Sequence, residues 1–241
     1  MSESSEPRSP ITYVYTIRLE NGSQMKFTVD LDPDTLSLIP PASPEPLPEW
    51  TRLQFQQCPN CPLSTETTER CPIAANLVPV VDAFRDRRSF EPVEVSVDAQ
   101  NRTYTRKAGL QTAISPLLGL HMVTSGCPVM DRLRPLVETH LPFMSRRETQ
   151  YRMLSLHLMS RFFAERRGEP AEPDFERLRR TMEAVHEVNV GFCNRLRAIT
   201  EKDASINAIV ILSTLGDFPD ERLIEQDLDR LERLSRDYYE S

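Results

Sequence analysis

Cys58, Cys61, Cys71 and Cys127 are each followed by proline, and of the five cysteines only Cys193 is not. Proline makes up 20 of 241 residues, so chance rarely sets it behind four cysteines of five. Its ring holds φ near −65°, offers no N–H and drives the preceding residue out of the helical region. Each of these sulfurs is therefore expected on a turn, with the N–H groups beyond the proline able to point back at it. Thiolates that ligate iron or zinc need such donors, and cysteine followed by proline ends the bacterial ferredoxin cluster run. The spacing is C-x2-C, nine residues to Cys71 and 55 more to Cys127.

A C-x2-C pair is a common two-ligand clip because its short arc lets both sulfurs face one ion, and two further thiolates complete a tetrahedral ion or an iron–sulfur cluster. Zinc knuckles of the C-P-x-C-G type use a glycine at positive φ. Here Pro62 fills that place and cannot adopt it. The expected cofactor is thus an iron–sulfur cluster on Cys58, Cys61, Cys71 and Cys127, in a structural, sensing or electron-transfer role, with Zn2+ as the alternative. Cys127, at an expected helix start, would have its thiolate favoured by the helix dipole. His121, six residues earlier, could reach the site as a fourth zinc ligand, although a core or capping role is the commoner fate of such a histidine. A competing function is thiol–disulfide exchange by the CPNC pair, which resembles a redox motif at a helix start. Pro62 and the polar STETTER make a poor helix there, and the βαβ surroundings are missing. A metal-free interaction protein is the third reading. Cys193, inside an amphipathic pattern and without a proline, reads as core filler.

Other constellations are weaker. His140 ends an expected helix, where a protonated imidazole suits the dipole. His157 and His186 lack the paired carboxylates of a di-iron bundle. Arg146, Arg147, Glu148, Tyr151 and Arg152 form a polar helix start that reads as a solvated face before an anion site. Met122, Met130 and Met144 fit core packing rather than copper ligation. No catalytic constellation can be picked out, and the glycine-rich phosphate loops are absent from the sequence.

The net charge of −7 argues against nucleic-acid binding. No run of about 18 apolar residues exists to span a membrane, and the polar N-terminus is unlike a secretory leader. A cytoplasmic location with reduced thiols is expected. Among the 29 cations only Lys26, Lys107 and Lys202 are lysine, a bias that suits a GC-rich bacterial genome.

The elements that would position the cysteines make an α+β fold: a small antiparallel β-sheet built from two hairpins, a Cys-rich loop region and a C-terminal α-helical region. Residues 1–10 read as a disordered tail, 11–109 as the α+β region and 110–241 as the helical region, which could be continuous with it. Tyr13 to Leu19 and Phe27 to Leu31 alternate around Asn21-Gly22, a hairpin signal. A second hairpin is expected from Glu91–Val97 and Arg102–Lys107. Pro40 to Pro48 reads as a stiff connector, and Trp50 to Gln57 as a short strand leading into Cys58. Helices are expected from Pro72, over Leu110–Thr124, from Cys127-Pro128 to Thr139, over Ser145–Arg167 with an S-x-x-E capping box, and over Phe175–Ile199. Ser205–Leu215 is apolar enough to be buried, and Leu223, Ile224, Leu228, Leu231 and Leu234 stripe a last helix. An unidentified protein partner, or a homodimer through the C-terminal helices, follows as the expected kind of association.

The motifs C-P-x-C-P-L at Cys58–Leu63, Cys71-Pro72 and Gly126-Cys127-Pro128, after a Y-x-Y-x-I-x-L hairpin, resemble those of an uncharacterised bacterial protein family. The likeness covers roughly residues 11–165. It implies no activity and no catalytic residue, favours a bacterial origin, and leaves out the C-terminal helices.

Overall fold

A computed structural model describes residues 8–40, 46–170, 175–200, 202–216 and 221–236. The expected tail lies outside the described residues up to residue 7, as do positions 41–45 of the proline-rich connector.

The alternating segments pair as the period-2 pattern requires. β1 (Ile11–Leu19) and β2 (Gln24–Leu31) form one antiparallel hairpin, and β3 (Pro92–Ala99) and β4 (Arg102–Gly109) form the other. β1 also pairs with β3, giving one antiparallel sheet of order β2-β1-β3-β4. Residues two apart share a sheet face. Tyr13, Tyr15 and Ile17 of β1 and Val93, Val95 and Val97 of β3 are accordingly all buried. β3–β4 pairing runs as far as Ala99 and Arg102, two residues past the expected strand end at Val97, and Gln100 takes the positive φ of the tight loop (54°).

Helices cover this sheet. α1 (Pro72–Phe84) starts with proline at its first position, where the missing N–H costs nothing. Its internal Pro79 lies on the exposed side. α2 (Leu110–Thr124) is buried on almost every face, as expected of a helix that is apolar all round. It packs against β3, β4 and α1, and against α5 (Ala204–Gly216). Gly126, at φ 89°, supplies the left-handed turn beyond its last residues. α3 (Arg146–Arg166) carries the complete Ser145/Glu148 capping box. α4 (Glu176–Arg197) buries Leu178, Met182, Val185, Val188, Phe192 and Leu196, and α6 (Glu221–Ser235) follows α5. The buried side chains of sheet and helices form one continuous core. The fold is α+β, with the helices concentrated in the C-terminal half.

Three expectations need correction. Residues 50–57 are not a strand: Glu49–Thr51 is a single 3-10 turn, and an isolated bridge joins Arg52 to Arg70. With no neighbouring strand in reach, alternation alone cannot make a sheet edge. The segment from Cys127 to Thr139 is not an α-helix; Met130–Thr139 winds as 3-10, with Pro135 removing a donor from its middle. In α5, Ala204, Ile206, Ala208 and Ile209 are buried, but Val210 is 39% exposed. Of the last stripe, Leu228 and Leu231 pack on the core and Leu234 is exposed; the side chains of Leu223 and Ile224 lie outside the described residues.

Candidate metal centre

The Cys-rich arm has little regular structure and is held by individual hydrogen bonds. The Cys61 N–H donates to the Cys58 carbonyl at 3.1 Å, closing the CPNC turn. Further along, the Cys71 N–H donates to the Thr51 carbonyl at 2.8 Å and the Leu53 N–H to the Glu69 carbonyl at 2.9 Å. The Arg70 guanidinium adds bonds to the carbonyls of Leu47 and Pro48 and to the Thr51 hydroxyl. Cys71 is the extended residue just before α1, with φ −65° and ψ 120°, as a residue before proline must be. Cys127 lies in the turn after α2, where the nearby N–H groups of Met130 and Val129 favour its thiolate. Those donors lie two and three residues past the cysteine, where the Cys-Pro geometry puts them.

The four sulfurs feel one another. Burial pushes the Cys58 thiol up to about 12, and the neighbouring sulfurs of Cys71, Cys61 and Cys127 add to the rise. Burial likewise raises Cys127; its two N–H donors oppose the shift, while Cys71 and Cys61 reinforce it. Like charges crowded in a poorly solvated place resist ionisation unless a cation joins them. Among the described residues, no group of three or more His, Cys, Asp or Glu side chains is already arranged to hold a metal ion.

One helix forms the back of this region. Ala184, Val188, Gly191 and Arg195 recur at threes and fours along α4 and so share a face. The Asn60 amide donates to the Ala184 carbonyl at 2.8 Å, and the Cys58 thiol faces the Val188 carbonyl at 3.9 Å. A Cβ at Gly191 would stand 2.7 Å from the Cys58 sulfur and 3.2 Å from its Cα. Glycine is needed there because the arm lies directly on the helix backbone.

Arg195 is 1% exposed. Its guanidinium donates to the carbonyls of Trp50 at 2.6 Å, Arg52 at 2.8 Å and Leu53 at 3.2 Å, and lies over the Phe55 ring at 5.8 Å. Among the described residues no carboxylate pairs with it. Burial lowers its pKa, and the sulfurs of Cys71, Cys58 and Cys61 act in the opposite direction. A buried cation without an anion is costly. Among the described residues, the anions near it would be the thiolates of Cys71, Cys58 and Cys61. Neither Gly191 nor Arg195 was singled out by the cysteine pattern. Their signal is positional: a scarce glycine and a cation fall on the same face as Val188 and next to the buried stripe of Phe192 and Leu196.

The remaining candidates take structural places. Cys193 is buried, with its thiol toward the Ile206 carbonyl at 3.8 Å. His121 is 4% exposed, its Nδ1 has no hydrogen-bond partner, and burial pulls it down to about 4. His140 follows the 3-10 segment as expected, but burial and nearby Arg152 hold it down at about 4, so it does not serve as a charged cap near neutral pH. It shares a 2.6 Å hydrogen bond with the Tyr15 hydroxyl instead. Arg152 departs from the expected solvated face: its guanidinium binds the Leu136 and Thr139 carbonyls and closes the 3-10 segment.

These features define an α+β protein in which a thiol-bearing arm is clamped between an antiparallel sheet with its helices and a long C-terminal helix. Residues 11–236 match the family described as a domain of unknown function, DUF6901, and the chain belongs to that family. The match runs from the start of β1 past the end of α6, so the family unit takes in the C-terminal helices that the motif resemblance left out. No curated protein and no solved structure matches the chain. Among the described residues no helix is long and apolar enough to cross a membrane.

Proposed function

We propose that the chain is a metal-binding protein in which Cys58, Cys61, Cys71 and Cys127 hold an iron–sulfur cluster, in a structural, sensing or electron-transfer role. The observation that carries this reading is Arg195, a buried guanidinium beside the thiols with no carboxylate partner among the described residues. Four neutral thiols would leave that charge uncompensated; four thiolates on a metal centre bring net negative charge to it. The N–H groups of Val129 and Met130 near Cys127 serve the same end, since backbone donors beside sulfur favour thiolate ligands and tune cluster potential. A single zinc ion, with Zn–S bonds of about 2.3 Å, would require all four sulfurs drawn onto one point. The preference for a cluster rests on the repeated Cys-Pro pairs and on Pro62, which fills the place where a zinc knuckle uses glycine.

Thiol–disulfide exchange finds no comparable support. An attacking cysteine needs a depressed pKa and a helix N-terminus or a cation to produce it. Cys58 is pushed the other way, and the CPNC turn opens no helix.

The test is metal analysis of anaerobically prepared protein with single serine variants. Brown protein with thiolate-to-iron charge-transfer absorbance is expected, with similar loss of iron in Cys58→Ser, Cys61→Ser, Cys71→Ser and Cys127→Ser and none in Cys193→Ser. Colourless protein with one zinc per chain would replace the cluster by a structural ion. Folded protein that takes up neither metal on reconstitution would overturn the proposal.

A further inference from the structure

A second site lies away from the cysteines, where α3, the first turns of α4 and the 3-10 segment Met130–Thr139 enclose a groove of about 570 Å³. Its floor is apolar, built from Leu133, Met153, Leu156 and Leu178. Its walls carry five arginines (Arg132, Arg161, Arg167, Arg177 and Arg180) against one acidic residue, Glu169. The chain as a whole carries a net charge of −7, so this concentration of positive charge runs against the composition. A cleft lined by one sign of charge focuses its field on what enters it.

Not all of these cations are occupied by the protein. Arg167 grips Glu169 with two bonds, at 2.7 and 2.9 Å, and Arg161 holds Glu165 at 2.8 Å. Arg180 lies 3.9 Å from Glu176. The guanidinium groups of Arg132 and Arg177 make no hydrogen bond or ion pair among the described residues; that of Arg177 lends only its field to Glu169. Both are exposed and reach the groove from different elements, one from the 3-10 segment and one from α4. Two free guanidinium forks over an apolar floor match an anion with several acceptor oxygens on a small carbon body.

We propose that this groove binds a small organic polyanion, a phosphate ester or a polycarboxylate, whose charged groups are taken by Arg132 and Arg177 and whose carbon skeleton lies on the leucine and methionine floor. The full chain with its metal content as purified is titrated calorimetrically with pyrophosphate and, separately, with citrate, at low ionic strength held constant with chloride. The comparison proteins are the double variant Arg132→Gln/Arg177→Gln and a control of equal charge, Arg18→Gln/Arg102→Gln, on the exposed strand surfaces. Saturable binding of one anion per chain is expected, weakened roughly tenfold or more in the groove variant and within about twofold of the parent in the control. Tighter pyrophosphate binding assigns a phosphorylated ligand, and tighter citrate binding a polycarboxylate. Binding of neither anion overturns the proposal, as does equal loss in both variants or full binding by the groove variant. Circular dichroism establishes that each variant is folded; neither groove substitution removes an internal bond.

Discussion

Replacing Gly191 by alanine probes how closely the cysteine arm is seated on α4. The added methyl carbon would meet the Cys58 sulfur at 2.7 Å, its Cβ at 3.2 Å and its Cα at 3.2 Å. Turning the thiol aside relieves the first contact and leaves the other two, so the backbone of the arm must move by a few tenths of an ångström. Overpacking of this kind costs about 1–3 kcal/mol. Alanine in a helix interior returns about 1 kcal/mol of propensity. The net effect on the metal-free chain is a loss of about 0–2 kcal/mol, small enough for the protein to remain folded. The metal centre is affected more, because the displaced residue is a ligand in the proposed site and its partners are fixed by other elements. Gly191→Ala is therefore expected to lower metal content and speed its loss to a chelator, while far-ultraviolet dichroism stays that of the parent. Iron or zinc per chain, chelator-release rate and the urea midpoint of the stripped protein measure the three quantities. Unchanged metal retention together with an unchanged or raised midpoint would refute the reasoning, since the arm could then not be resting on the helix at this residue.

Arg195→Met removes a buried cation and leaves the Trp50, Arg52 and Leu53 carbonyls without their donor; a loss on the order of 3 kcal/mol is expected, larger in metal-loaded than in stripped protein by urea titration. Equal losses in the two forms would remove the argument for thiolate as its counter-charge. His121 is neutral in the fold down to about pH 4, whereas the unfolded chain takes its proton near 6.5. Its contribution is thus complete above pH 6.5 and falls by about 3 kcal/mol as the pH drops to 4; urea midpoints of reduced, metal-free protein at pH 7, 5.5 and 4.5 should decline accordingly, and less steeply in His121→Leu. Ser145→Ala breaks the capping box of α3 and should cost about 1 kcal/mol, with no change in metal content.

Where local chemistry decides a structure, the sequence was readable. The two hairpins followed from period-2 alternation, the start of α1 from Cys71-Pro72, and the α3 cap from Ser145 and Glu148, because each depends on residues adjacent in the chain. The failures share one cause. Residues 50–57 alternate like a strand, but whether they pair depends on a neighbour distant in sequence, and the neighbour supplies only the Arg52–Arg70 bridge. Residues 127–139 have helical spacing, yet Pro135 and the Arg152 guanidinium from the next helix settle them as 3-10. The site was half visible for the same reason. Cysteine-proline pairs announce sulfur on turns, whereas the roles of Gly191 and Arg195 arise only when α4 crosses the arm, more than 120 residues after the CPNC turn.

That crossing also bears on why the family unit spans residues 11–236 rather than ending with the cysteines. An arm of turns from residue 46 to 71 has little regular structure of its own, so the entropy of holding its sulfurs in place is offset by packing Trp50, Leu53 and Cys71 into the core and by bonds to the rest of the fold. Its order comes from outside: Asn60 binds the Ala184 carbonyl of α4, Cys58 rests on Gly191, and Arg195 gathers three carbonyls of the 50–53 segment. Cys127 is anchored separately, at the end of the central helix α2. In the proposed site, a ligand set divided in this way between a tethered arm and a core helix would make metal binding and α4 docking a single equilibrium, since anything that binds only the assembled form stabilises the contacts that assemble it. Were the four cysteines to bind metal as proposed, α4 would be part of the metal centre rather than an appendage to it, with its buried arginine tying the arm to the helix.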